Sequence, residues 1–125
     1  MPEKISLAAK FAQFSDQWAP RIVAELNGQQ VKLVRFAGPF VWHAHEHEDE
    51  MFLVLSGRLR IELEGADDVE LGPGQFFVVP RGVRHNPVAD EEVHIALIET
   101  VTTAHTGDVT VPETVPVDQQ VGDFV

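Results

Sequence analysis

From Arg21 onward the chain is a succession of short runs rich in Val, Ile, Leu and Phe, and each run is cut off by turn residues before it could become a long helix. The runs are RIVAEL, QVKLVRF, FVWHAH, MFLVLS, RLRIELE, VEL, QFFVVP and EVHIALIET. Between them stand Asn27-Gly28, Gly38-Pro39, Gly57, Gly65, Gly72-Pro73-Gly74 and Gly82. Glycine and asparagine supply the backbone angles of tight turns, and proline stops a strand by removing an N–H. Seven or eight strands at such spacing read as an antiparallel sandwich or barrel. With 125 residues, 44% of them hydrophobic, the chain can bury one core, so one domain is expected.

Before this β-rich region the texture differs. Leu7, Phe11, Phe14 and Trp18 recur at i, i+4, i+7 and i+11, which predicts a short amphipathic helix packed on the rest of the fold. Pro20 closes the segment, because the residue before a proline is pushed out of the helical region. Residues 1–20 are therefore read as a helical segment, 21–100 as the β domain, and 101–125 as an extended tail. Pro112 and Pro116 break any long strand in that tail, which is expected to be mobile or to pair along a sheet edge of its own or a partner subunit.

Charge and missing residue types exclude several functions. A net charge of −11, with no basic stripe, repels phosphate backbones and anionic headgroups, so neither nucleic acid nor a membrane surface is an expected partner. Cysteine is absent, which rules out disulfides, thiolate metal sites and a cysteine nucleophile. Glu3, Lys4, Lys10 and Asp16 interrupt the start of the chain too early for a secretory apolar region, and a cytoplasmic location is expected.

The chemistry concentrates in FVWHAHEHEDEMFLVLSGRL, Phe40 to Leu59, where His43, His45 and His47 are interleaved with and followed by four carboxylates, Glu46, Glu48, Asp49 and Glu50. On a helix, His43 and His47 would share a face; on a strand, His43 and His45 would. The strand is preferred, since Gly38-Pro39 precedes it and Phe40, Val41 and Trp42 are β-formers. Imidazole stems two residues apart on a strand stand about 7 Å from each other, near enough to tilt onto one ion at ~2.1 Å. With residues 46–49 as a connecting hairpin, Glu50 would start the next strand beside them. Farther on, a strand ends at Pro80, turns through Gly82 and restarts near His85, which sheet closure could bring opposite that hairpin.

These residues resemble the cupin superfamily, which carries two motifs. The first is a glycine, then H-x-H, a glutamate after three or four residues and a glycine after six more. Gly38, His43, His45, Glu50 and Gly57 fit it, with four residues rather than five between Gly38 and His43. The second, G-x5-P-x-G-x2-H-x3-N, is met by Gly74, Pro80, Gly82 and His85, while Ala89 stands where the asparagine would be. The leading KFAQFSDQW and the late TGD look like the small single-domain cupins described as mannose-6-phosphate isomerase-like. The resemblance implies an all-β double-stranded β-helix (jelly-roll) barrel with a short N-terminal helix. It also implies one divalent transition metal ion per subunit, held by His43, His45, Glu50 and His85, and a homodimer.

Three imidazoles and a carboxylate suit Fe, Mn, Zn, Ni, Cu or Co better than Ca or Mg. Two functions then compete: a metalloenzyme of dioxygenase or isomerase type on a small organic substrate, or a non-catalytic module that binds or senses a small molecule. The chain lacks tyrosine as well as cysteine, so no tyrosyl proton donor is available. Of the other polar residues, His47 is a spare ligand by virtue of a second H-x-H with His45, and Glu46, Glu48 and Asp49 read as turn charges. His94 alternates with Ala96 and Ile98 and is read as facing the barrel interior; His105 lies in the tail. Arg58, Arg60, Arg81 and Arg84 are the candidates for an anionic substrate, with surface charge as the default. Phe36, Phe40, Trp42, Phe76 and Phe77 are read as packing residues, some of them lining a pocket.

Overall fold

A computed structural model describes residues 3–101. The expectations for residues 102–125, His105 included, lie outside the described residues. One short helix, α1 (Leu7–Phe11), precedes seven strands: β1 (Arg21–Leu26), β2 (Gln29–Pro39), β3 (Glu50–Ser56), β4 (Leu59–Leu63), β5 (Val69–Leu71), β6 (Phe76–Val79) and β7 (His85–Thr100). All pairings are antiparallel and follow the order β1-β2-β7-β3-β6, with β4 joining β5 to β7.

Strand β7 makes this arrangement a barrel. Its first half pairs with β4, His85 opposite Leu63 and Val88 opposite Arg60. Its second half pairs with β3, from His94 opposite Ser56 to Ile98 opposite Met51. Strand β2 runs along the other side of both halves. Between the halves lie Asp90, Glu91 and Glu92, all exposed. One 16-residue strand thus belongs to two sheets and closes them on a common interior.

The turns are those the sequence announces. Asn27 and Gly28 both have positive φ, 51° and 79°, the requirement of a two-residue hairpin turn with the right-handed strand twist. Gly57, between β3 and β4, has φ 87°, and a Cβ there would stand 2.8 Å from the Glu92 carbonyl oxygen. Only glycine lets this turn lie against the bend of β7.

Two apolar clusters result. The interior one includes Val34, Phe36, Phe52, Val54, Ile61, Val93, Ile95 and Leu97. The other lies on the outer face, where Phe11 and Phe14 cover Val23, Leu33 and Ala96. Helix α1 is capped by the Ser6 side chain, which accepts from Ala9 N–H at 3.2 Å. It ends at Phe11, earlier than the spacing of Leu7 to Trp18 predicts. Phe14 still joins the outer cluster, but Trp18 turns away, with φ 65°, and stacks on Phe36 and Phe40 at the mouth of the barrel. Arg35 holds the unwound stretch by donating to the Phe11 and Phe14 carbonyls at 3.2 and 2.5 Å, while pairing with Glu92 at 3.1 Å.

Candidate metal centre

His43, His45, Glu50 and His85 come together inside the barrel, each at most 4% exposed. One donor atom from each can be chosen so that all lie within 4.8 Å of one another. Glu50 Oε1 is 3.3 Å from His45 Nε2 and 3.5 Å from His85 Nε2. Donors ~2.1 Å from a shared ion stand roughly 3.0 to 4.2 Å apart, so movements of a few tenths of an ångström would close this set on one ion.

The assembly differs from the expected hairpin. Residues 40–45 form no strand and are tied to β7 by Phe40 N–H donating to the Pro87 carbonyl at 3.0 Å and by one bridge, His43 with His85, in which each amide donates to the other's carbonyl, at 3.0 and 2.8 Å. Gly82 N–H, in the turn after Pro80, donates to the His45 carbonyl at 2.8 Å. Those bonds draw the H-x-H segment onto the second motif's turn, and Glu50 opens a strand whose partner is Val79 on β6. The alternation itself holds: His43 and His45 point inward, while Trp42 is exposed.

Backbone contacts set the histidine rings. Nδ1 of His43 lies 2.8 Å from the Val41 carbonyl, and Nδ1 of His85 lies 2.9 Å from the Val83 carbonyl. A carbonyl only accepts, so each Nδ1 carries the proton and each Nε2 turns a bare lone pair toward the cluster. Neither Nε2 has a hydrogen-bond partner within the protein, nor does Glu50 Oε1. Buried acceptors in that state are costly unless a cation satisfies them. The donor set therefore fits a transition ion.

Electrostatics favour the metal-ready protonation states. Burial first, and then neighbouring His85, push His43 from 6.5 down to about 4, against the pull of Glu50 and the Val41 carbonyl. Burial alone would raise Glu50, but its close approach to Glu99, His45 and His85 outweighs this and holds the carboxyl well below its usual range. Glu99 is in turn raised by its burial and by Glu50, with Lys32 opposing.

Lys32 and Glu99 escaped sequence reasoning, although a signal existed. Lys32 shares strand parity with Val34 and Phe36, and Glu99 with Ile95 and Leu97, all of them interior. A charge on the apolar face of an alternating strand marks a buried polar group. The other candidates separate cleanly. The His47 side chain is 82% exposed and lies away from the cluster. His94 does not face the interior: it stacks on Phe11 at 4.5 Å on the outer face and bonds Glu92. Its parity with Ala96 is as expected, but helix α1 makes the outer face apolar too. Arg60 meets Glu62, Asp68 and Asp90, Arg81 meets Asp49, and Arg84 meets Glu64.

A cavity of about 30 Å³ leads to His43 and Glu50, walled by Trp18, Phe36, Phe40 and Phe52 with Val34, Ile95 and Leu97. Phe36 and Phe40 thus line it as expected, whereas Trp42 and Phe76 are 39% and 58% exposed. None of the four arginines lines it.

An antiparallel barrel with a buried three-histidine, one-glutamate cluster defines a small β-barrel protein with a potential metal site. Residues 31–101 match the family model described as Cupin domain, and the chain belongs to the cupin family. It is similar to a cupin-2 domain containing protein from Shewanella frigidimarina, whose crystal structure superposes with a TM-score of 0.75 at 43% identity, over 77% of this chain and 93% of that one. Protein NMB1881 from Neisseria meningitidis superposes with a TM-score of 0.72 at 28% identity, over 78% and 99%. The Bacillus subtilis protein YdbB is 29% identical over 85 residues, 68% of this chain and 75% of that protein.

Proposed function

We propose that this cupin binds one divalent transition ion through His43, His45, Glu50 and His85 and is a metalloenzyme acting on a small organic molecule. The observation that carries the reading is the convergence of imidazole lone pairs and a carboxylate oxygen within 4.8 Å in a buried cage. Four protein donors leave positions free on a five- or six-coordinate ion, where a redox-active metal would supply dioxygen chemistry and a redox-silent one Lewis-acid chemistry.

The chain's own residues support metal-centred chemistry over side-chain acid–base work. Among the described residues, the only titratable groups lining the cavity are His43 and Glu50, both in the donor set. No lysine or arginine lines it, which disfavours a sugar phosphate, since a phosphate needs cationic donors. The apolar walls exclude water and would hold an uncharged portion of a substrate.

The test is to purify the protein with its metal, identify the ion, and titrate small acids, diketones and sugar phosphates while following dioxygen uptake. Oxygen consumption with an acid or diketone supports the oxygenase form of the reading. Saturable binding without turnover favours a sensing module, and native material lacking metal, with no uptake of added ions, overturns both. A cytoplasmic homodimer belongs to the same reading, and the edge strand β6, with Phe76 and Val78 exposed, offers a contact that sedimentation of the full chain would reveal.

A further inference from the structure

The indole of Trp18 stacks on Phe36, 4.1 Å between ring centroids at 23°, and on Phe40, 4.9 Å at 12°. All three rings line the cavity that reaches His43 and Glu50. With the indole in place that cavity measures about 30 Å³, which is roughly one water molecule. An organic ligand cannot reach the donor set through such a space unless something moves.

Trp18 is one of the cavity walls that lie outside the strands. It sits in a bend between α1 and β1, in neither helix nor strand. Its φ of 65° is one that bulky L-residues rarely adopt, and such conformations persist only where the surroundings hold them. What holds it is its amide, which donates to the Arg35 carbonyl at 3.0 Å, and the stacking of the indole itself. The opposite walls, Val34, Phe36, Phe52, Ile95 and Leu97, belong to strands and to the interior cluster.

Resting on the metal reading above, we propose that Trp18 is a displaceable plug and the specificity-determining residue of the site. The ligand is a flat, uncharged ring carrying a pair of chelating oxygens. The ring takes over the phenyl faces of Phe36 and Phe40 that the indole vacates, and the oxygens bind the ion. Aromatic faces reward a flat π-surface over a saturated or charged body, and no cationic side chain lines the cavity to attract an anion.

Benzohydroxamate, a chelating oxygen pair on a flat ring, and azide, a narrow ligand that needs no ring slot, separate the possibilities. In full-length protein carrying Trp42→Phe, Trp18 is the sole tryptophan. In its zinc-loaded form, benzohydroxamate should move Trp18 emission to longer wavelength as the indole enters water, and azide should not. In the cobalt-loaded proteins, followed by visible absorption, Trp18→Gly removes the plug and suits the positive φ; it should bind benzohydroxamate roughly tenfold more tightly than the native chain, with azide affinity unchanged. Benzohydroxamate binding with unmoved Trp18 emission, which requires no variant at Trp18 to fold, overturns the plug, as do equal affinities in Trp18→Gly and the native chain. If azide binds while the ring results fail, only the plug is lost; if neither ligand binds, the metal reading falls and takes the plug with it.

Discussion

Lys32 and Glu99 face each other across the barrel interior, Nζ 2.8 Å from Oε1, with neither side chain reaching solvent. Glu99 also contacts Glu50, so this pair stands directly behind the candidate metal centre. Removing one partner of a buried pair leaves an uncompensated charge and costs about 3–5 kcal/mol, whereas neutralising both is far milder. Lys32→Met alone should therefore lower the urea-unfolding free energy of metal-free protein by that amount. Lys32→Met with Glu99→Gln should recover most of it, and a double variant no better than the single would refute the pairing argument.

The four converging residues should dominate metal affinity. Alanine at His45 or His85 is expected to weaken binding by roughly a hundredfold or more, since even partners one step removed from an ion contribute ten- to a hundredfold. His47→Ala should leave one ion bound per chain, because that side chain is 82% exposed. Calorimetric titration of each variant distinguishes these outcomes, and the reverse pattern would mean the ion sits elsewhere.

Acid should destabilise the metal-free protein through His43. Its pKa falls from 6.5 to about 4 on folding. A depressed value means that the folded state binds the proton less well, so the contribution is fully present above pH 6.5 and is lost as pH falls toward 4. At about 1.4 kcal/mol per decade the loss across that window is ~3 kcal/mol. Chemical denaturation of chelator-treated protein at several pH values should show this slope, and His43→Gln should flatten it.

Arg35 is the clamp on the N-terminal segment, bonding the Phe11 and Phe14 carbonyls and both oxygens of Glu92. Arg35→Ala should cost about 1–3 kcal/mol and speed amide exchange over residues 7–18, with little change in β3 and β7. Uniform acceleration throughout the barrel would show instead that the segment is integral to the core.

The barrel class and the convergence of His43, His45, Glu50 and His85 were legible because both are encoded locally: strand length by glycine and proline spacing, the clustered side chains by two compact motifs. What escaped depended on contacts between distant segments. Residues 40–45 contain β-formers, yet tertiary hydrogen bonds to Gly82 and His85 tie them to the second motif's turn and keep them out of a hairpin with β3. Period-two alternation gave His94 its correct companions but not its face, since α1 covers the exterior and both sides of β7 are apolar there. Helical periodicity assigned Trp18 to the wrong element, because a residue eleven positions along fits a helix and a bend equally well. Lys32 and Glu99 show the converse, a parity signal present and decisive once the interior is known.

In His43 and His85 alike, the ring is aimed by a carbonyl only two residues earlier in its own chain, Val41 and Val83. Aiming of that kind is complete before any ion arrives. The cage is thus a socket rather than a clasp: loading should leave the circular-dichroism spectrum of the barrel unchanged, stripping should be reversible, and the occupant should be decided by which ion the surroundings supply rather than by folding around a preferred one.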